Sequence, residues 1–167
     1  MAAEDLKQHW EELTMNLVDI IQYEEGFRSK PYLCSEGYVT IGFGTKLHKA
    51  KNMNPRSFPI KVSISMATEW LHEEIVIKDI RLSQSSVTKA YSKLSADRQA
   101  IIVSMAYQLG TLGVVKFRRM WAALRDENYH LASLEMLGSR WARQTPKRAS
   151  RHAQVMRHGR ISTVYAD

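Results

Sequence analysis

The sequence predicts an α+β fold in which a long helix joins a small β-hairpin lobe to a larger, all-helical lobe. Residues 32–43 alternate as strands do and are interrupted by glycines, whereas from residue 83 onward only helical spacings occur. The predicted organisation over residues 1–167 is one domain with an N-terminal extension at 1–14, a small β lobe at 26–62, a connecting helix at 63–82 and a helical lobe at 83–162 that packs with the first helix.

The first helix is indicated by apolar residues at spacings of three and four, with acidic residues in its first turn, as helix starts prefer. The apolar positions are Leu6, Trp10, Leu13, Leu17, Ile20 and Ile21. Gly26 supplies the backbone freedom to leave the helix, so we expect the helix to end at Glu25. Residues 1–14 either extend the first helix or form an N-terminal addition, and their mixed charge with three apolar side chains favours a surface docking helix over a targeting device.

The small lobe is predicted as a short hairpin over 32–43, closed by an irregular connector at 48–60 that contains Pro55 and Pro59. A second helix follows, capped by Ser63 or Ser65 and running to about Leu82. Its expected apolar face consists of Met66, Trp70, Leu71, Ile75 and Ile77.

The helical lobe is predicted around a buried central helix, since the segment from Ser95 to Leu109 is apolar nearly all round. We expect Gly110 and Gly113 to end that helix. Further helices are predicted at 117–124, 129–137 and 146–158, with Gly138 and Gly159 as stops and Pro146 in a first turn. Trp70, Trp121 and Trp141 are expected in the core.

The composition limits the classes of function. The formal charge is +7, which favours polyanionic partners, and the single cysteine excludes an intramolecular disulfide. The N-terminal residues lack the pattern of a secretion signal, and no stretch is apolar enough for a membrane span. We therefore expect accumulation in the cytoplasm of the producing cell. No metal or other cofactor is predicted, because the histidines at 48, 72, 130, 152 and 158 show no ligand spacing and are expected on the surface.

Residues 23–44 carry the candidate chemistry. Glu25 lies at the negative end of the first helix, where the helix dipole and any desolvation favour the neutral carboxyl group. A carboxyl that keeps its proton near neutral pH is what a general acid requires. The following hairpin carries Cys34 and Thr40. On spacing alone, however, Glu25 also fits a solvated surface residue, Cys34 an inert thiol and Thr40 a strand filler.

Three stretches together resemble lysozymes of the T-even phage type, the muramidases that cut the peptidoglycan backbone. They are Glu-Glu-Gly-Phe-Arg with Glu-Gly-Tyr-Val-Thr-Ile-Gly-Phe-Gly in 24–44, Tyr-Gln-Leu-Gly-Thr-Leu-Gly-Val at 107–114, and Ser-Arg-Trp-Ala-Arg-Gln-Thr-Pro-Lys-Arg-Ala at 139–149. The resemblance spans residues 15 to about 160 and implies a lysozyme-like fold that acts on bacterial peptidoglycan.

The resemblance also implies residue roles. The implied catalytic residues are Glu25 as the acid, Thr40 as a holder of the attacking water, and Cys34. The implied substrate-binding residues are Lys46, Tyr107, Met120 and Glu135, and the supporting residues are Glu36, Gln108, Arg140 and Arg148. Arg148 is expected near Glu25, where its positive charge opposes the neutral form of the carboxyl. Arg140 and Glu36 fall where the family can bridge the two lobes.

The largest departure from the family is Cys34, which stands where T-even lysozymes carry the second catalytic aspartate. An inverting glycosidase uses two carboxyl groups roughly 6.5–9.5 Å apart with a water between them. A thiol has an ordinary pKa of about 8.5, so it acts as base or nucleophile at pH 7 only if a neighbour such as Lys30 stabilises the thiolate. The connector after Gly44 is also shorter and carries Thr45-Lys46 in place of a histidine and a leucine.

Four functions remain open at this level. The first is a peptidoglycan hydrolase that lyses bacteria for phage release, and the second is a lytic transglycosylase, which needs only one acid/base carboxyl. The third is a degenerate protein that binds peptidoglycan without cutting it, and the fourth is a nucleic-acid binder. The last has no supporting motif beyond charge, so no nucleic-acid partner is expected. We expect a monomer that waits in the host cytoplasm until a separate protein permeabilises the membrane and gives it access to the wall.

Overall fold

The computed structural model describes residues 3–165, except for the side chains at positions 3, 6, 10, 12 and 14–16. The side chains of Leu6 and Trp10, two of the apolar positions of the first helix, and residues 1 and 2 of the 1–14 extension lie outside this described part. Contacts divide the chain into two compact units, Val18–Glu74 and the remainder. The predicted β lobe at 26–62 falls inside the smaller unit, which also takes in the end of the first helix and the start of the second.

The smaller unit contains one antiparallel sheet in the order β1-β2-β3. Its strands are β1 (Arg28–Leu33), β2 (Tyr38–Gly42) and β3 (Thr45–Lys51). The prediction of a two-stranded hairpin followed by an irregular connector from residue 48 was wrong in this respect, because Thr45–Lys51 is a third strand. The sequence of β3 does not have the pattern of a strand. It is an edge strand with three lysines and mostly exposed side chains, so it lacks the apolar alternation that indicates a strand.

The sheet buries one end of β2 against the second long helix. Val39 and Ile41 are fully buried, and Gly42 adopts φ +66°, a left-handed conformation that glycine tolerates best. A Cβ at Gly42 would lie 3.0 Å from the Cβ of Ala67. The close approach of strand and helix therefore depends on glycine at this position.

The two long helices are α1 (Ala3–Glu25) and α2 (Ile64–Gln84). The predicted end of α1 is confirmed, since Gly26 follows with φ +66°. Ser63 caps α2 by accepting a hydrogen bond from the Met66 amide at 3.1 Å. The predicted apolar face of α2 is partly wrong, because Met66 and Ile77 point to solvent while Leu71 and Ile75 are buried.

The larger unit is helical, as predicted. Its helices after α2 are α3 (Ala96–Leu109), α4 (Thr111–Val115), α5 (Arg118–Arg125), α6 (Tyr129–Leu137), α7 (Arg140–Gln144) and α8 (Pro146–His158). The predicted stops at Gly110 and Gly159 and the first-turn proline of α8 are confirmed. Gly113, predicted as a stop, lies inside α4, and α7 was not predicted as a separate helix.

The core of the larger unit is built around α3, as its apolar pattern predicts. Residues 100–106 of α3 are all buried. Trp121 is fully buried and donates its indole N–H to the Val114 carbonyl at 3.0 Å, and Trp141 is 3% exposed. Two of the three predicted core tryptophans are thus confirmed, while Trp70 is only half-buried.

Candidate active site

Glu25 is the last residue of α1, and the chain turns away immediately after it. The Gly26 amide still donates to the Gln22 carbonyl at 3.0 Å, and the ring of Phe27 then packs on Phe43 with centroids 5.4 Å apart. Glu25 itself is partly exposed. The carboxyl group is therefore carried by a helix end fixed to the sheet, and solvent reaches it.

Cys34 opens the tight turn between β1 and β2. Its amide donates to the Tyr38 carbonyl at 2.9 Å, and its carbonyl accepts from the Gly37 amide at 2.9 Å. Gly37 has φ +83°, and a Cβ there would lie 2.7 Å from Oδ1 of Asn52. The turn holds the partly exposed thiol in one place on a rigid backbone.

The surroundings of Cys34 favour its thiolate. Desolvation raises the pKa of the thiol, but hydrogen bonds from the backbone of Tyr38 and Glu36 and from the Thr40 hydroxyl together outweigh it, so the pKa is lowered. The Glu36 carboxylate acts in the opposite direction. The sequence suggested Lys30 as the stabilising cation, whereas the structure assigns the effect to hydrogen bonds of the turn.

Thr40 lies at the centre of a row that crosses all three strands. In the strand register Thr40 is opposite Tyr32 on β1 and opposite Lys46 on β3, so the three side chains are neighbours on one face. Thr40 is 2% exposed, and its hydroxyl donates to the Tyr38 carbonyl at 3.0 Å. Because the hydroxyl has one proton and also reaches Cys34, it can donate to only one of these acceptors at a time.

Tyr32 is a residue that the sequence analysis missed. Burial raises the pKa of its phenol first, the Glu25 carboxylate adds to the rise, and Cys34 does so to a smaller extent. Arg28 lies over the ring at 4.4 Å and opposes the shift. Tyr32 thus lies within electrostatic reach of both Glu25 and Cys34. Its position opposite Thr40 in a hairpin is the signal that could have indicated it.

Glu36, predicted as a supporting residue, and Lys46, predicted to bind substrate, form an ion pair with one another. Nζ of Lys46 donates to Oε2 of Glu36 at 3.2 Å and lies 4.0 Å from the centre of the Tyr38 ring. Both charged side chains are more than half exposed, so this pair contributes little to stability. It holds the lysine over the strand that carries Thr40.

In the larger unit, Tyr107 and Gln108 lie near the end of α3. Nζ of Lys78 is 5.4 Å from the centre of the Tyr107 ring, and Oε1 of Gln108 accepts the Trp141 indole N–H at 2.7 Å. The Trp141 ring also packs edge-on against Phe117 at 6.3 Å. Gln108 is therefore held by a buried tryptophan.

A cavity of about 640 Å³ is lined in part by three further predicted site residues, Met120, Glu135 and Arg140. Met120 is fully buried and can contribute only to the floor, whereas Arg140 is exposed. Glu135 approaches Nε of Arg119 at 3.9 Å. Four cationic residues, Lys116, Arg118, Arg119 and Arg140, line this cavity together with one acidic residue, which makes it an anion-attracting surface.

Arg148 belongs to a buried polar network. Its Nη2 atom donates to the Ser104 carbonyl at 3.2 Å and to the Ser104 hydroxyl at 3.0 Å. Nε2 of His152 lies 2.8 Å from the same hydroxyl, and Nδ1 of His152 lies 2.8 Å from the Tyr165 hydroxyl. Arg148, Ser104, His152 and Tyr165 thus form one connected series of side-chain hydrogen bonds.

The prediction that the histidines lie on the surface was wrong for His152, which is fully buried. Burial lowers its pKa well below the ordinary range, and the positive charges of Arg148 and Arg151 add to that effect. Tyr165 faces it from the C-terminal segment, and the Trp141 ring packs on it at 5.8 Å. The spacing of Ala149, Ala153 and Met156 along α8 puts position 152 on the same buried face, and this is the signal that could have placed the histidine inside.

Over the described residues 3–165, no three His, Cys, Asp or Glu side chains are grouped so that they could hold a metal ion. None of the helices in that range has the length and apolar character needed to cross a membrane.

The fold is α+β and lysozyme-like, with a glutamate at the end of the first helix and a small antiparallel sheet after it. The sequence profile of the phage lysozyme family matches residues 22–158, so the chain belongs to the phage lysozyme family. The resemblance stated from the three motifs is confirmed.

Relatives support the same assignment. Probable T4-type lysozyme 2 of Dictyostelium discoideum is 27% identical over 167 residues, which cover 89% of this chain and 98% of the relative. Probable T4-type lysozyme 1 of the same organism is 25% identical, with coverages of 90% and 98%. The pre-baseplate central spike protein Gp5 of Enterobacteria phage T4 is 27% identical over 89% of this chain, a stretch that makes up 29% of the spike protein.

Family membership makes the protein an enzyme, a glycoside hydrolase of the muramidase type whose substrate is peptidoglycan. The degenerate binder and the nucleic-acid binder are therefore disfavoured relative to a catalytic function.

Proposed function

We propose that the enzyme cleaves the β-1,4 bond between N-acetylmuramic acid and N-acetylglucosamine, with Glu25 as the general acid. Glu25 is well suited because it is fixed at a helix end and remains accessible to solvent. It donates its proton to the leaving glycosidic oxygen as the bond to the anomeric carbon breaks. The water that attacks that carbon loses a proton to a base.

We propose that this water is held between Cys34, in the turn, and Thr40, on β2. The geometry that carries this proposal is the partly exposed Cys34 thiol, which the turn holds beside backbone amides and the Thr40 hydroxyl, whose hydrogen bonds lower its pKa. A lowered pKa increases the thiolate fraction at neutral pH, and a thiolate can accept the proton of a water. Whether the Thr40 hydroxyl donates to Cys34 or to the Tyr38 carbonyl, its lone pairs remain available to accept a hydrogen bond from the water.

The test is digestion of purified peptidoglycan sacculi by the wild-type protein and by Glu25→Gln, with the released ends analysed by mass spectrometry. We expect reducing-end muropeptides from the wild type and none from the variant, since the glutamine amide is too weak an acid to protonate the leaving oxygen. Circular dichroism should show the same fold for both proteins. Equal release by the two proteins would contradict the role of Glu25 as the general acid.

The same products decide the alternative of lytic transglycosylation. Cys34 in place of a second carboxylate favours this reaction, because one acid/base carboxyl suffices when the substrate's own hydroxyl attacks the anomeric carbon. Anhydro sugar ends would establish lytic transglycosylation and would exclude a mechanism in which a water attacks the anomeric carbon. Binding of both proteins to sacculi without any release would instead indicate a peptidoglycan-binding protein.

We further propose a role in lysing bacteria at phage release, as a monomer held in the host cytoplasm until a separate protein permeabilises the membrane. Membership of the phage lysozyme family supports this role. Expression in bacteria with and without a permeabilising agent tests it. We expect lysis only when the agent is added, and lysis without it would contradict the need for a separate protein.

A further inference from the structure

A second cavity, of about 520 Å³, lies in the larger unit and shares no lining residue with the first. Its floor is apolar and well packed, since Ala90, Leu94 and Leu124 are each at most 5% exposed. Lys89, Lys93 and Arg125 stand at its exposed rim. The volume falls in the range of about 300–1,000 Å³ that is usual for small-molecule sites.

The backbone that carries two of these cations is firmly held. Thr88, next to Lys89, is fully buried and its hydroxyl donates to the Leu82 carbonyl. Tyr91 donates its hydroxyl to Asp79, and its carbonyl accepts from the Gln99 side chain at 2.9 Å. The segment between the two lysines therefore has a fixed conformation, and their Cα positions are preset.

An aromatic wall completes the cavity. Tyr129, the first residue of α6, lines it and carries the Arg98 guanidinium 3.6 Å from the centre of its ring. Arg98 in turn donates to the Met156 carbonyl at 2.8 Å. The ring is thus held in place by a cation that is itself anchored to α8.

The charges at the rim are unbalanced. Among the described residues, neither lysine nor Arg125 forms an ion pair, whereas Lys7 and Lys46 elsewhere do pair with glutamates. Glu127 is the one acidic residue in the lining, so the cavity has three cations against one anion. Three cations lining one concavity raise the local concentration of anions.

We propose that this cavity binds a phosphorylated sugar. The rim cations match a phosphate group, for which arginine and lysine are the usual partners. The tyrosine ring and the apolar floor match the C–H faces of a sugar, which pack on aromatic and aliphatic carbon. The phosphate fixes the ligand at the rim while the sugar fills the cavity.

The test is a titration of the isotope-labelled protein with glucose 6-phosphate, followed by amide NMR. We expect saturable shifts in residues 89–94 and 124–129, with little response to glucose and weaker binding of inorganic phosphate. Lys89→Gln/Lys93→Gln should weaken binding at least about tenfold, because two of the three rim cations are lost. Arg125→Gln should weaken it less.

A matched control is Lys49→Gln/Lys147→Gln, which removes the same charge from two exposed lysines outside the cavity. It should bind glucose 6-phosphate as the wild type does. If both double variants weakened binding equally, the effect would depend only on net charge, and the proposal would be overturned. So would inorganic phosphate binding as tightly as glucose 6-phosphate, or shifts scattered over the surface.

A second experiment distinguishes two sources of the ligand. Bacterial walls are pelleted with the protein before and after chemical removal of their phosphate-bearing polymers. If the site anchors the enzyme to wall polymers, Lys89→Gln/Lys93→Gln reduces pelleting with untreated walls only. If the ligand is a soluble sugar phosphate, pelleting is equal and the NMR response remains. The proteins used for pelleting carry Glu25→Gln so that the walls are not digested, and neither readout then depends on turnover or on the proposed hydrolysis.

Discussion

Two polar clusters of this enzyme each lower the pKa of one titratable group, but the charged form is favoured in one cluster and the neutral form in the other. In the smaller unit, hydrogen bonds of a turn lower the pKa of the partly exposed Cys34 thiol and so favour its charged form. In the larger unit, burial and neighbouring arginines lower the pKa of His152 and so favour its neutral form. The same direction of shift therefore prepares one group to react and keeps the other uncharged.

The difference follows from what surrounds each group. Cys34 faces backbone N–H groups and a hydroxyl, which stabilise a negative charge without adding a neighbouring ion. His152 is fully enclosed and its neutral ring satisfies Ser104 and Tyr165. A protonated ring would add a second positive charge beside Arg148. We conclude that the turn is suited to chemistry and the buried network to holding structure.

The largest effect that separates the clusters is on stability. His152→Leu should lower the free energy of unfolding by about 3 kcal/mol, because it leaves the Ser104 and Tyr165 hydroxyls without their ring partner. Cys34→Ser, in the half-exposed turn, should change it by less than about 0.5 kcal/mol. Urea unfolding of both variants measures the two values. Tyr165→Phe, a milder change, should cost about 1 kcal/mol. Equal losses from His152→Leu and Cys34→Ser would contradict the comparison.

A second effect appears in the pH dependence of unfolding. The unfolded chain binds a proton at His152 near pH 6.5, whereas the folded chain does so only at much lower pH. The unfolded state therefore holds more protons in that window, so stability falls as pH decreases below about 6.5, by about 1.4 kcal/mol per pH unit. His152→Gln should remove this contribution. The measurement is the wild-type minus variant difference in unfolding free energy at pH 7.5 and pH 5. A constant difference would show that the ring is not held neutral.

A smaller effect concerns the thiol. Thr40→Val removes a hydrogen-bond donor to Cys34, so the pKa of the thiol should rise and its thiolate fraction at pH 7 should fall. We expect alkylation by iodoacetamide at pH 7 to slow about threefold, with the wild-type rate recovered at higher pH. Thr45→Val, on the neighbouring strand, serves as the control. An unchanged rate in Thr40→Val would show that the hydroxyl stays on the Tyr38 carbonyl.

Much of the fold could be predicted from local signals. Gly26, Gly110 and Gly159 end their helices, Ser95 caps α3 and Pro146 begins α8, because each of these residues has a backbone or capping preference that acts locally. Strand β3 could not be predicted, since its pairing with β2 comes from the backbone and not from an apolar pattern.

The candidate site was predictable only in part. The motifs indicated Glu25, Cys34 and Thr40, but not that the strand register brings Tyr32 and Lys46 beside Thr40. The outward direction of Met66 and Ile77 depends on tertiary packing, which spacing along one helix does not determine.

The most direct test of the central claim, that the turn of the smaller unit takes part in the chemistry, is the rate at which Cys34→Ser and Cys34→Asp release reducing ends from sacculi at pH 7. We expect Cys34→Ser to be slower by about 10- to 100-fold, because a hydroxyl is a far weaker base than a thiolate. Cys34→Asp should match or exceed the wild type, because it restores the pair of carboxyl groups. A Cys34→Ser enzyme as fast as the wild type would contradict the claim and leave the activation of the water to groups other than this thiol.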